Sequence, residues 1–431
     1  MSPQIFSASW LRKPATALNS ALVFIVFLIF DFLDAILCIL YRYIDHYFEG
    51  SAGSCYCGLR EIKQVRNVVD DEGGHQLSET LYRRKNVFRE MGLLGFAKGY
   101  KNTSGGGAVV TNRWSDCGCQ SCLSWVNDTN NHRLHLVIRQ PSSQAITNGC
   151  RVHAAENVIF LHGFLSSSSF WAETVFPNIS ERVSRHYRLF AIDLLGFGLS
   201  PKPRDCLYTL KDHLEMIEKS VICPFQLTSF HLVAHSMGCL IAIALAAKHP
   251  QLVKSITLVA PPYFPCKDGD SLKVLHKLAE RKLWPLFLFG TSFMSWYEHL
   301  GRCVCFLVCR NHRTWERIAK LITWRRDLHF MSVDLTRHTH HSAWHTMHNV
   351  ICGGAKLMEG YLQVLAKAGV KVCVIHGDRD QVVPKECSTN IQMAVPEAQV
   401  NFIKNADHAS VLLGREKDFT RHVEHVWAAS S

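Results

Sequence analysis

The chain has 431 residues, 48% of them hydrophobic, and a formal charge of +11 at neutral pH, so it can bury a large core: one main domain with appendages is expected. The charge is spread without a long Lys/Arg block or base-stacking pattern, which sets aside a specific nucleic-acid site in favour of anionic surfaces such as phospholipid headgroups. Seventeen cysteines are too few for a disulfide scaffold in a chain of this length, and an odd number cannot all pair within one chain.

In chain order, Trp10-Leu-Arg-Lys13 precedes an unbroken apolar decade over residues 21–30, followed by Asp31, Asp34 and a second apolar run to Leu40. Ten residues suit a signal-peptide core, whereas a span reaching Leu40 would place two aspartates in lipid at about 2.5 to 3.5 kcal/mol each. Residues 1–49 are therefore expected to be a signal peptide or membrane anchor. The preceding positive charge keeps the N-terminus cytosolic and sends the rest to the lumenal or outer side.

Residues 50–131 are broken by Gly73-Gly74 and Gly105-Gly106-Gly107 and carry one basic helical stretch over 82–89, the pattern of a spacer. Cysteines cluster at Cys55 and Cys57, at Cys117, Cys119 and Cys122, and at Cys303, Cys305 and Cys309. None of these clusters repeats the paired spacing of a zinc ribbon or finger, so disulfides, acylated thiols or buried thiols are expected there, and no metal. Asn102, Asn127 and Asn178 each open an Asn-x-Ser/Thr triplet that would permit glycosylation.

From residue 132 the punctuation is that of an α/β protein. Strand-like stretches over 157–161, 187–192, 253–259, 370–375 and 399–403 alternate with helical ones, and the first two are largely apolar, as parallel strands covered on both faces must be. After Pro261-Pro262 this rhythm stops for roughly a hundred residues, too long for a βα loop. We expect a helical cap over about 264–368 within an α/β domain of 132–431. The cap carries Trp284, Leu286, Phe287, Leu288, Phe289, Trp296 and Phe306, expected in part to roof a pocket for a long acyl chain. His341, His345 and His348 could share one helical face, read as a polar cap face near the site rather than a metal site.

The chemistry centres on Ala234-His235-Ser236-Met237-Gly238, between an apolar run and strong helix-former sequence. A serine on such a strand-to-helix turn is exposed on a strained backbone and needs small neighbours two residues away, here Ala234 and Gly238. The stretch is a nucleophile elbow with alanine in its first small position. A serine hydroxyl needs an imidazole to take its proton and a carboxylate to orient that imidazole. The order serine, acid, histidine is met by Ser236, by Asp380 in His376-Gly377-Asp378-Arg379-Asp380, and by His408 in Asp407-His408, each after a strand. Of the two carboxylates in the acid turn, Asp380 is the expected one. Backbone N–H groups of Phe164, after His162-Gly163, and of Met237 are candidate oxyanion donors.

These motifs, with Asp193-Leu-Leu-Gly-Phe-Gly198, resemble the α/β-hydrolase superfamily over roughly residues 130–431. The resemblance implies a mostly parallel, doubly wound sheet, a serine hydrolase of esters, and no cofactor. Together with the membrane-directed start and Cys117-Gly-Cys119-Gln-Ser-Cys122, they resemble the plant BODYGUARD group of lysophospholipase-like hydrolases. That second resemblance implies an extracellular role in cuticle formation on lipid or cutin-precursor esters. Two other classes share the scaffold: a non-catalytic binding or scaffolding protein, and a carbon–carbon bond hydrolase.

Overall fold

The computed structural model describes residues 9–50, 77–81, 86–91, 113–120, 122–123, 133–142, 155–265 and 295–430. Seven strands form one sheet: β1 (Leu136–Arg139), β2 (Glu156–Leu161), β3 (Tyr187–Ile192), β4 (Phe230–His235), β5 (Val253–Val259), β6 (Lys371–Gly377) and β7 (Gln399–Ile403), in the order β1-β3-β2-β4-β5-β6-β7. Only β1 runs antiparallel, against β3. The chain steps from β2 outward to β3 and then back to the other side of β2 for β4. The carboxyl ends of β2 and β4 therefore flank the point where the winding reverses, the place at which open α/β sheets bind ligands. The pairing Leu161↔Ala234 sets those two ends level.

Alternation along the strands covers both faces. In β2, Ile159 and Leu161 enter one core while Val158 and Phe160 enter the other, and in β4, Leu232 and Ala234 oppose Val233. The first core is filled by helix Met237–Lys248, whose residues from Met237 to Ala246 are all buried. A helix apolar on every side is stable only when enclosed, here by the sheet and its flanking helices. The second core gathers around Phe160, Trp171 and Trp427, the last from helix Glu416–Ala428.

Between β5 and β6 the described part of the insertion, from residue 295 on, is mainly helical. We label α1 (Ser9–Glu49) at the start of the chain, then in the insertion α2 (Glu298–Leu307), α3 (His312–Thr323), α4 (Phe330–Asp334) and α5 (His340–Thr346). α4 is tied to the loop after β2, where the Ser167 hydroxyl donates to Asp334 Oδ2 at 2.7 Å. Burial raises the Asp334 carboxyl to about 6, with the charge of Asp193 adding to it, against the hydrogen bond from Ser167. Because the folded value exceeds the unfolded value of about 3.9, this group's contribution is full below about pH 4 and lost as pH rises through about 6. Asp334→Asn keeps an oxygen for Ser167 without the buried charge. It should match the wild type near pH 4 and exceed it above pH 6, by on the order of 1 kcal/mol, in denaturant unfolding across that range. A difference independent of pH would assign the effect to packing.

α1 departs from the expectation that its aspartates are mere obstacles to insertion. Asp31, Asp34, Ala35, Cys38, Tyr41 and Asp45 are buried, while Phe24, Ile25, Ile29, Phe32, Leu33, Ile36, Ile39 and Leu40 are exposed. The buried set recurs at helical spacing, so the acidic stripe faces protein and the apolar stripe faces out, the reverse of an ordinary surface helix. The acids have partners on α2. Asp34 Oδ1 accepts from the His299 backbone N–H at 3.1 Å, and Asp45 takes both arms of Arg302 at 2.6 and 2.7 Å. Residues 24–49 also form the one described helix long and apolar enough to cross a membrane.

Parts of 50–131 are likewise packed rather than trailing as a spacer would. The Ser78 N–H donates to Asn349, and the Trp114 indole N–H donates to Asp45 with its ring 5.4 Å from Phe306. Cys55, Cys57, Asn102 and Asn127 lie outside the described residues.

Candidate active site

Ser236 is the single residue between β4 and the following helix, with φ 51° and ψ −122°, a left-handed setting that costs about 1 to 3 kcal/mol for a residue with a side chain. The Ser236 N–H donates to Val259 O at 2.8 Å, pinning the turn to β5. A Cβ on Gly238 would lie 2.5 Å from His162 O and 2.8 Å from Leu161 O, both backbone atoms, so that position admits no side chain. Ala234, the other small neighbour, is accommodated fully buried within the sheet.

His408 follows β7 and Asp380 follows β6. His408 Nε2 lies 3.0 Å from Ser236 Oγ and His408 Nδ1 lies 2.8 Å from Asp380 Oδ2. Asp380 Oδ1 accepts the backbone N–H groups of Val382 and Val383, each at 2.8 Å. Burial pushes the Asp380 carboxyl upward, but hydrogen bonds from His376 and His408, the charge of His408 and the Val383 N–H hold it well below the usual carboxylate range. Asp378 is exposed at the surface of the same turn, and its N–H donates to Ile403 O. The two turns meet closely at Gly377, where a Cβ would lie 2.3 Å from Ala406 O.

The candidate oxyanion donors, the Phe164 and Met237 N–H groups, sit at the switch point. His162 is fully buried, its Nδ1–H donates to Gly163 O at 2.7 Å, and its Nε2 accepts from the Leu194 N–H at 2.9 Å. Burial lowers its pKa, which keeps it neutral and suits this tautomer. In a trans peptide the C=O and N–H point opposite ways, so holding Gly163 O on the His162 side turns the Phe164 N–H to the other. Among the described residues neither the Phe164 nor the Met237 N–H is drawn into a backbone hydrogen bond. Met237 also opens a helix, whose positive end favours a developing oxyanion.

The geometry thus brings together Ser236, His408, Asp380, Phe164 and Met237 at the carboxyl edge of the sheet, an arrangement able to activate a hydroxyl and receive a tetrahedral oxyanion. An alpha/beta hydrolase fold model matches residues 156–293. In Arabidopsis thaliana, "Probable lysophospholipase BODYGUARD 4" is 50% identical over 428 residues, covering 98% of this chain and all of the relative. "Probable lysophospholipase BODYGUARD 5" is 47% identical over 447 residues, covering 99% of each chain. The chain belongs to the BODYGUARD family of α/β-hydrolases. "Probable lysophospholipase BODYGUARD 1" is more distant, 38% identical across 96% of this chain and 97% of the relative.

Three residues of this BODYGUARD-family site carry no sequence signal of their own. His235 Nε2–H donates to His408 O at 3.1 Å, its ring stacks on Phe170 at 4.8 Å, and burial together with the neighbouring His408 lowers it to about 3. It is a neutral brace under the base. Asp407 Oδ1 accepts from the Ala409 and Ser410 N–H groups at 3.0 and 2.7 Å, closing the turn that presents His408. His376 stands 3.3 Å from Asp380 Oδ2 while bonding Ser388 and Val383 O.

The cap histidines, expected as a polar cap face near the site, are turned into the protein. His341 Nε2–H donates to Cys206 O, and His348 Nδ1 bonds Thr80 Oγ1. Burial lowers His341, takes His345 to about 4 and His348 to about 3, so all three are neutral packing groups at pH 7. The two described residues of the expected aromatic roof pack against the N-terminal part of the chain. Trp296 lies against Phe27 of α1 at 5.8 Å, and Phe306 against Trp114. Trp284, Leu286, Phe287, Leu288 and Phe289 lie outside the described residues.

Proposed function

We propose that this chain is a serine hydrolase of lipid or fatty-acyl esters that acts at a membrane surface in the secretory pathway or cell wall, in the formation of the plant cuticle. The observation that carries the reading is the unbroken relay from Ser236 Oγ through the two nitrogens of His408 to Asp380. His408 Nε2 takes the serine proton as Oγ attacks the acyl carbon, and Asp380 holds the Nδ1–H tautomer and the imidazolium that forms. The carbonyl oxygen, now charged, moves onto the Phe164 and Met237 N–H groups. His408 returns the proton to the leaving alcohol, and water repeats the cycle on the acyl-enzyme. A non-catalytic scaffold would have no need of a strained serine aligned with a base and an acid.

Lipid as substrate is supported by the relatives' names and by α1, whose outward apolar face suits the acyl boundary of a bilayer while its acids hold the cap. On this reading residues 1–49 are a membrane-directed segment, 50–131 a connecting segment and 132–431 the hydrolase domain, with its cap at about 264–368. The test is the specificity constant of the full-length protein on p-nitrophenyl esters and lysophospholipids of rising chain length, below micelle formation. Each buried methylene contributes about 0.8 kcal/mol, so kcat/KM should rise by up to several-fold per carbon through medium to long chains. A maximum at acetate that falls steadily with length would end the lipid reading.

A further inference from the structure

We propose that Cys117, Cys119, Cys122 and His312 bind one zinc ion that clamps the cysteine-rich segment to the cap. The four ligand atoms, three Sγ and His312 Nε2, lie within 4.8 Å of one another. His312 Nε2 is 3.5 Å from both Cys119 Sγ and Cys122 Sγ. A tetrahedral zinc with bonds of about 2.3 Å to sulfur and 2.0 to 2.1 Å to nitrogen separates its S and N ligands by about 3.5 Å. Sequence spacing pointed away from a metal because the fourth ligand lies 190 residues from Cys122.

The surroundings are those of a built site. The Cys122 and Leu123 N–H groups both donate to Cys119 O at 2.9 Å, a tight turn that sets the Cys119 and Cys122 side chains together. The Cys119 N–H points at Cys117 Sγ at 3.5 Å, the kind of contact that stabilises a thiolate. On the far side of the imidazole, His312 Nδ1 lies 3.2 Å from Glu316 Oε1, one turn along α3. A carboxylate on the distal nitrogen fixes the tautomer that leaves Nε2 bare for a metal and raises its basicity. Both His312 and Cys122 are buried.

Three thiolates and one imidazole favour zinc over calcium or magnesium, and four protein ligands leave no open position, so the role is structural. The effect would be mechanical. Trp114 and Ser115, just before Cys117, hold Asp45 of α1 and Arg302 of α2, so a clamp at His312 locks the segment, α1 and the cap into one body. A disulfide is the competing chemistry, but it would consume two of the three thiols and give His312 and Glu316 no part. A second group, Cys305, Cys309 and His338, offers three ligands nearby and is not included in the proposal.

The experiment uses full-length protein purified in detergent, with metal measured by elemental analysis and folding by circular dichroism. Cys122→Ser should carry one equivalent of zinc less than the wild type, whatever a second group holds. Glu316→Gln should fold and lose zinc to a chelator about 10- to 100-fold more readily. If Cys122→Ser does not fold, His312→Cys decides, since a site of four thiolates still binds: its cobalt-loaded form should keep tetrahedral absorption with the thiolate bands shifted from those of the wild type. Equal zinc in wild type and folded Cys122→Ser, an unshifted cobalt spectrum in His312→Cys, bound iron instead of zinc, or a disulfide among Cys117, Cys119 and Cys122 found by mass mapping without reductant would each overturn the proposal.

Discussion

Ser236→Ala is expected to lower kcat on its best ester by on the order of 10⁶-fold and to abolish labelling by a fluorophosphonate probe, with the fold intact. His408→Ala should cost about as much, and the double variant little more, because hydroxyl and imidazole act as one unit. The physical basis is the 3.0 Å contact between His408 Nε2 and Ser236 Oγ: without the imidazole the hydroxyl keeps its proton at neutral pH, and without the hydroxyl the base has nothing to activate. The stability expectation differs in size from the activity expectation. Ser236 is a left-handed residue at φ 51°, and alanine suffers the same backbone strain without the bond to His408, so the change in unfolding free energy should be small beside the loss of rate. Probe labelling that persisted in Ser236→Ala would place the nucleophile elsewhere.

The sheet was legible in the sequence because its information is local. Runs such as 157–161 and 187–192 are largely apolar over the length of one strand, and the observed strands cover those same residues. The elbow was legible because its small neighbours and strong helix formers are contiguous, and the histidine and acid turns because each follows such a run. What escaped was set by tertiary contacts with no period. Asp31 and Asp34 read as charges to be carried into lipid and Asp45 drew no reading, since nothing near Asp34 or Asp45 announces His299 and Arg302 more than two hundred residues later. Cys117, Cys119 and Cys122 read as a cluster without a partner for the same reason. His235 was hidden by its neighbour: within the elbow every residue is accounted for by the turn, and only the fold shows its ring beneath His408. The cap histidines suggested a polar face by helical spacing, but spacing does not say which way a face looks, and theirs looks inward onto Cys206 and Thr80.

Asp380→Asn is expected to reduce kcat by on the order of 10⁴-fold, and Asp378→Asn by no more than a few-fold, measured on the same ester. Both acids sit in one turn, separated by Arg379, so composition cannot distinguish them, but their surroundings do. Asp380 Oδ2 receives His408 Nδ1–H at 2.8 Å while its other oxygen is fixed by two backbone N–H groups, so an asparagine held in the same place would turn either its oxygen or its NH2 toward His408. The NH2 orientation forces the proton onto Nε2, the nitrogen that must be bare to accept from Ser236, and the oxygen orientation still forfeits the charge that stabilises the imidazolium. Asp378 is exposed, with its backbone N–H committed to β7, and its side chain can be neutralised without touching that bond. The pH dependence separates this from a folding defect. Asp380 is held below the usual carboxylate range, so its contribution to stability is complete above about pH 4 and is lost only as the solution approaches that depressed value. At pH 7 the Asn variant should therefore lose both stability and rate, and the stability gap should close near the acid limit, where Asp380 is itself protonated, as a packing defect would not. A severe Asp378→Asn beside a mild Asp380→Asn would reverse the assignment, and equal, mild effects in both would mean that His408 is oriented by His235 and the Asp407 turn without a carboxylate.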